Sequence, residues 1–191
     1  MPLRPLGVSG SRSHPPRLQP ALARSALVPS PRPGPVRTGV RLAVDVGSVR
    51  VGVARSDPGG VLASPLTVLR GGRAAAAEVV ALVAENSAIE VIVGLPTSLS
   101  GREGSAAAGA RQFASELAGL LAPVPVRLVD ERFTTTTAHD ALRRGGKDSR
   151  ARRQVVDAAA AAVLLQAALD AERSSGRPPG QPVTATSGAG A

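Results

Sequence analysis

Three short apolar runs at residues 42–46, 51–55 and 61–69 follow one another across turn-length gaps, and from residue 73 onward helix-length and strand-length signals alternate. That order leaves few folds open. Consecutive strands joined by turns form an antiparallel meander, whereas strands separated by helices add in parallel. Gly47-Ser48-Val49-Arg50 joins the first two strands, and Ser64-Pro65 gives the third an edge or irregular position, because proline has no N–H for a ladder. A helix is expected over 73–86, and a short buried strand over 91–93 ends at Gly94. An Ala-rich helix over 103–121 is stopped by Pro123, and a fifth strand follows over 126–129. Threonines open a helix over 134–142, Gly145-Gly146 ends it, and 152–172 forms the last helix. The expected fold class is therefore α/β, a mixed five-stranded sheet flanked by helices.

Three acidic residues sit where acids are normally avoided. Asp45 closes the apolar run Leu42-Ala43-Val44, Glu131 follows the strand signal Val126-Arg127-Leu128-Val129, and Asp157 is the one polar residue between Val155 and Leu165. A carboxylate on an apolar element costs several kcal/mol unless it is paired or binds a cation. Alternation places Asp45 on the face of Ala43 at the C-terminal end of its strand, where open α/β sheets bind ligands. Asp157 shares a helix face with Ala161, Leu164 and Ala168, so that face packs against something; a plain structural alternative pairs it with Arg153. Asp130 and Glu131 point opposite ways, so only one of them joins Asp45 directly. Three carboxylates from separate elements suffice to hold Mg²⁺ (or Mn²⁺), and two such ions neutralise a phosphodiester and activate water. Gly47 and Gly52 leave room for a phosphate or metal-bound backbone to approach, although glycines also serve plain turns.

Charge narrows the picture of partners. The chain carries a formal net charge of +9, yet all 14 acids lie between Asp45 and Glu172, while the first 37 residues hold six arginines and no acid. Without the tails, sixteen basic residues face fourteen acidic ones, so the folded part is nearly neutral. What remains is a local cluster of Arg143, Arg144, Lys147, Arg150, Arg152 and Arg153, either a solvated loop or a phosphate-contacting surface. Thr134 and Thr135 offer hydroxyls and helix N-terminal amides to phosphate, and Arg132 contacts nucleic acid or pairs with Asp130. His139 reads as a solvated helix residue. Phe113 and Phe133 are the two aromatic residues and both read as core, so recognition of nucleic acid rests on backbone and shape rather than base stacking.

Residues 1–39 and 173–191 are rich in Pro, Ser, Gly and small residues without apolar periodicity, and both are expected to be disordered around a domain at 40–172. The Arg-rich, acid-free N-terminal stretch has transit-peptide composition, but its prolines oppose an amphipathic helix; an alternative start at Val36 or Val40 accounts for it equally well. With no cysteine, disulfides and thiolate metal sites are excluded. No apolar run reaches the ~18 residues of a membrane span, and a cytoplasmic protein that engages no membrane is expected.

Four strings, RLAVDVGSVRVGVARSD (41–57), VIVGLPTSLSGREGS (91–105), VRLVDERFTTTTAHDAL (126–142) and RRQVVDAAAAAVLLQ (152–166), occur in order and cover most of 41–170. Together they resemble the YqgF/RuvX-type Holliday-junction resolvases, also described as pre-16S rRNA processing nucleases. The resemblance implies an RNase H-like three-layer fold and a metal-dependent endonuclease of the bacterial cytoplasm, with Asp45, Glu131 and Asp157 at the three acidic motif positions. It implies nucleic acid as partner, precursor rRNA or branched DNA, in association with ribosomal particles, and a monomer or homodimer. The chain departs from the commonest pattern at Thr97-Ser98-Leu99-Ser100, where an acid or asparagine more often precedes the glycine. Two other classes remain open: a noncatalytic nucleic-acid-binding assembly factor, and a nucleotide-dependent phosphotransferase of the actin/sugar-kinase type. Asp45-Val46-Gly47 and Gly52 suggest the latter, but its usual two domains do not fit in about 130 residues.

Overall fold

The computed structural model describes residues 36–97, 104–131 and 150–185, with the side chains of 150–155 excepted. In chain order the elements are β1 (Arg41–Val46), β2 (Arg50–Ser56), β3 (Ala63–Arg70), α1 (Ala74–Glu85), β4 (Glu90–Leu95), α2 (Ser105–Leu121), β5 (Val126–Asp130), α3 (Arg150–Ser175) and β6 (Gln181–Pro182). The expected helix over 134–142 lies outside the described residues, as do Arg132, Thr134, Thr135, Arg143, Arg144, Lys147, Phe133 and His139. Arg150, Arg152 and Arg153 belong to the start of α3, which begins two residues before its expected position.

The sheet runs β3-β2-β1-β4-β5-β6. The meander is antiparallel, β1, β4 and β5 are mutually parallel neighbours, and β6 returns antiparallel on the far edge. As Pro65 predicts, β3 is an edge strand, and its register with β2 shifts between Val53 and Ala54. Alternation sorts the sheet by size. Leu42, Val44, Val51, Val53, Val91 and Val93 point to the face covered by α1 and α2, where Val79, Ala110, Ala114 and Leu117 meet them. Ala43, Ala54, Ile92 and Val129 point to the other face, onto which α3 lays Ala161, Leu164, Leu165, Ala168 and Leu169. The result is a three-layer α/β fold with a mixed sheet between helices. Ala43, Gly52 and Ala54 of β1 and β2 lie under α3, which lets that helix come close to the sheet there.

The sheet has six strands rather than the expected five. β6 was unreadable because it is two exposed residues, one a proline, held by Arg127↔Pro182 and Leu128↔Gln181 pairing. Gly180 (φ +66°) lets the chain turn in so tightly that a Cβ there would stand 2.1 Å from the Leu128 carbonyl oxygen. Residues 173–185 are therefore part of the folded unit, and the expected boundary at 172 falls too early.

The boundary at 40 falls too late for a related reason. Arg41 opens β1, Glu90 is its register partner on β4, and Glu172 lies near the end of α3; all three are buried. Arg41 Nη2 lies 3.0 Å from Glu172 Oε1. Arg37 supplies the second cation, with Nη2 at 2.8 Å from Glu90 Oε2 and 2.9 Å from Glu172 Oε2. Arg127 Nε also lies 3.9 Å from Glu90 Oε1. Buried carboxylates persist only when paired and hydrogen-bonded, so a residue read as part of a disordered extension joins Arg41 and Arg127 in pairing the core glutamates. Burial pushes the Glu172 carboxyl upward, but hydrogen bonds from the Arg37 side chain and backbone and the charges of Arg41 and Arg37 outweigh it and hold the group below its ordinary value. The same pairing holds Arg37 above its own.

Two measurements test this tie. Arg37 is partly exposed and Arg41 remains in the variant, so Arg37→Ala is expected to cost roughly 1–2 kcal/mol and lower Tm by about 2–8 °C; an unchanged Tm would detach Arg37 from the fold. Because the folded Glu172 carboxyl is depressed, its contribution is complete above the ordinary value of 4.5 and lost as pH falls from there through the folded value. The Tm gap between wild type and Glu172→Gln should hold from neutral pH down to about 4.5 and shrink as pH falls below it. A gap independent of pH would contradict the pairing.

Candidate active site

The site is built from the row of residues that crosses the sheet at Asp45. Asp45 shares the α3 face with Ala43, and its register partner on β2 is Gly52. On the other side, β4 runs in register as Val44↔Val93, which brings Gly94 alongside Asp45. Glycines therefore flank the carboxylate on both sides, and each vacancy is filled by the element that carries another acid. A Cβ on Gly52 would stand 2.1 Å from the backbone oxygen of Asp157, and one on Gly94 would stand 2.9 Å from Glu131 Oε1 and 3.0 Å from Leu164 Cδ2. The room that the sequence reserves at Gly52 is thus taken by helix backbone rather than by phosphate.

Asp45, Glu131 and Asp157 line one cleft of about 560 Å³ beyond the carboxyl ends of β1, β4 and β5, together with Ser48, Arg50 and the first turn of α2. All three acids are half-buried. Of the adjacent pair, Glu131 is the one that faces the cleft. Asp130 follows Leu128 onto the opposite face, where the Thr97 hydroxyl donates to its Oδ1. The chemistry of the three carboxylates suits a hard divalent cation. Their present geometry does not close a site: among the described residues no group of three acidic or histidine side chains stands within common reach of one ion.

Arg50 occupies part of that space. Its Nε donates to Asp157 Oδ2, an ion pair in which the two side chains are 32% and 30% exposed. The β1–β2 turn sets its position, since the Gly47 amide donates to the Arg50 carbonyl at 2.9 Å and a Cβ at Gly47 would crowd that same oxygen. Sequence reasoning missed Arg50 because local spacing favoured Arg153 as the partner of Asp157. The available signal was a basic residue five positions after Asp45, across a glycine turn, at the start of the next strand. Thr97 was noted only as a departure from the family pattern.

A family model described as "RuvX: Holliday junction resolvase" matches residues 39–171. The chain belongs to this RuvX family. It is 58% identical over 158 residues to the "Putative pre-16S rRNA nuclease" of Thermobifida fusca (strain YX), covering 79% of this chain and 99% of that protein. A protein of the same name from Streptomyces coelicolor is 56% identical over 150 residues, with 78% and 90% covered. Among solved structures, Thermus thermophilus RuvC in complex with Holliday junction substrate aligns with a TM-score of 0.45 at 18% identity, covering 70% of this chain and 95% of that one. The RuvX match ends at 171 and thus takes in all three cleft acids but leaves out β6. No described helix is long and apolar enough to cross a membrane.

The two glycines make a graded test of this packing. Gly52→Ala meets backbone and should destabilise by about 3 kcal/mol or more, whereas Gly94→Ala meets side-chain ends that can shift and should cost about 1 kcal/mol. Urea unfolding of both variants checks the order; equal costs would mean that α3 does not rest on Gly52.

Proposed function

We propose that this member of the RuvX family is a metal-dependent endonuclease that processes the 5′ end of pre-16S rRNA, working in the cytoplasm on precursor ribosomal particles. The observation that carries the proposal is the convergence of Asp45, Glu131 and Asp157 on one cleft from three separate elements. Family membership supports phosphodiester hydrolysis, and the names of the relatives from Thermobifida fusca and Streptomyces coelicolor support the RNA substrate.

In this reading Asp45 and Glu131 hold Mg²⁺ (or Mn²⁺) from the sheet and Asp157 closes the set from α3. When bound, the ion supplies charge neutralisation at the phosphate and makes the attacking water more acidic. The residues of the chain do the rest. Asp45 is fixed by its strand, Asp157 by the contact of its backbone with Gly52, and the dipole of α2 points its positive N-terminal end at the rim of the cleft, favourable to a phosphate. The basic residues Arg132, Arg143, Arg144, Lys147, Arg150, Arg152 and Arg153, with Thr134 and Thr135, seat the nucleic-acid backbone.

A second reading, cleavage of a four-way DNA junction, follows from the description of the matching family model. It requires two active sites and so a homodimer, whereas trimming of a single RNA end works as a monomer.

The deciding assay offers full-length protein a labelled precursor rRNA end and a four-way DNA junction in parallel, with Mg²⁺, beside Asp45→Asn. Loss of at least a hundredfold in cleavage of the RNA, with unchanged Tm, is expected. Cutting of the junction alone would favour the second reading, and wild-type cleavage by the variant would remove the nuclease proposal.

A further inference from the structure

Arg50 is the one cation among the described side chains that line the cleft, facing the carboxylates of Asp45, Glu131 and Asp157. It comes from β2, a strand that contributes no acid to the site, and the Gly47–Arg50 turn holds its backbone. Its bond to Asp157 is made through Nε, and among the described residues Nη1 and Nη2 have no acceptor. The arrangement is half of a bidentate fork: Nε neutralises an acid, and the same side chain lines a cleft of phosphate-accommodating size.

We infer that Arg50 neutralises Asp157, is displaced from that carboxylate when a divalent cation binds, and then contacts the phosphate of the nucleic acid. The inference rests on the metal-dependent reading above and adds to it a residue and an exchange. It also accounts for the gap between donor chemistry and geometry. Asp157 carries an oxygen suited to a divalent ion, yet that oxygen is engaged by a guanidinium, and among the described residues no three acids share one ion's reach. An arginine cannot deprotonate to clear the site, so only a change of partner frees Asp157. The pair is about two-thirds buried on each side, close enough to solvent for the exchange to involve side-chain rotation alone.

The two halves of the exchange predict effects of opposite sign. Arg50→Gln removes the competitor, so Mn²⁺ should bind the full-length protein about threefold to fivefold more tightly, the factor expected for a part-exposed ion pair. The same variant loses the phosphate contact, so cleavage of the precursor rRNA end should fall by about a hundredfold at saturating metal. Arg50→Lys keeps the charge without the fork, and should leave Mn²⁺ affinity near wild type while cleavage stays low. A merely structural role would weaken both properties in parallel.

The experiment is calorimetric titration of Mn²⁺ into wild type, Arg50→Gln, Arg50→Lys and Asp45→Asn, each checked for Tm, followed by cleavage with the same samples. Tighter binding with slower cleavage in Arg50→Gln supports the exchange. Equal or weaker Mn²⁺ binding in Arg50→Gln, with binding abolished in Asp45→Asn, overturns the exchange and leaves the metal-dependent reading standing. Absence of Mn²⁺ binding in all four proteins overturns that reading and the exchange with it.

Discussion

The rest of the structure depends on how closely α3 can approach the sheet at Gly52. Any side chain at that position would collide with the backbone of Asp157, so the distance from helix to sheet is set by a missing methyl group. The residues around it follow the same rule. Ala43 and Ala54 lie beneath α3, while their neighbours on the opposite face are Leu and Val. A close-packed interior does not tolerate an extra methylene without displacement, so this thin layer of small side chains is what brings an acid on α3 beside an acid on β1. The active-site geometry is a consequence of packing volume before it is a matter of charge.

α3 is fixed a second time at its other end. Glu172 is fifteen residues beyond Asp157, about 22 Å along a helix, and there the helix is tied to the opening residues of β1 and β4 by Arg37, Arg41 and Glu90. Two charge clusters therefore occupy opposite ends of one helix with opposite characters. The Glu172 cluster is buried, with arginines matched to glutamates, and it holds layers together. The Asp157 cluster is half-exposed and lies at a cleft. Charge at the buried end contributes to stability, whereas charge at the open end is available to exchange partners, and the length of α3 keeps the two from competing for the same arginines.

The sequence was most legible where a residue violated its surroundings. Asp45 and Asp157 in apolar runs, and the acid pair ending β5, announced a site because an unpaired carboxylate there would be costly. The order of elements was legible because apolar runs of strand and helix length are separated by glycine and proline. What could not be read is whatever depends on partners distant in the chain. Arg37 is 135 positions from Glu172, so its composition-rich neighbourhood spoke for disorder while its side chain completes a buried network. Likewise the partner of Asp157 is 107 positions away at Arg50 rather than on its own helix, and β6 is too short to leave a pattern. Gly52 shows the intermediate case: the vacancy was visible, but not what fills it.

The formal charges of the cleft lead to one more step. Three carboxylates and one guanidinium line it among the described residues, and a phosphodiester would bring a further negative charge to it. In the proposed reading, the basic residues at 143–153 and a divalent ion do different work in offsetting it. Lysines and arginines at a distance from a scissile phosphate attract a polyanion over about a Debye length, and salt weakens that attraction. They do less to offset the repulsion between a phosphate and carboxylates a few ångströms apart, which is strongest at short range. Only a cation held by the carboxylates themselves reverses the sign of the field at the scissile group. In the proposed reading, binding and cleavage are thus separable electrostatic problems, the first assigned to the basic segment and the second to the cation that takes Arg50's place.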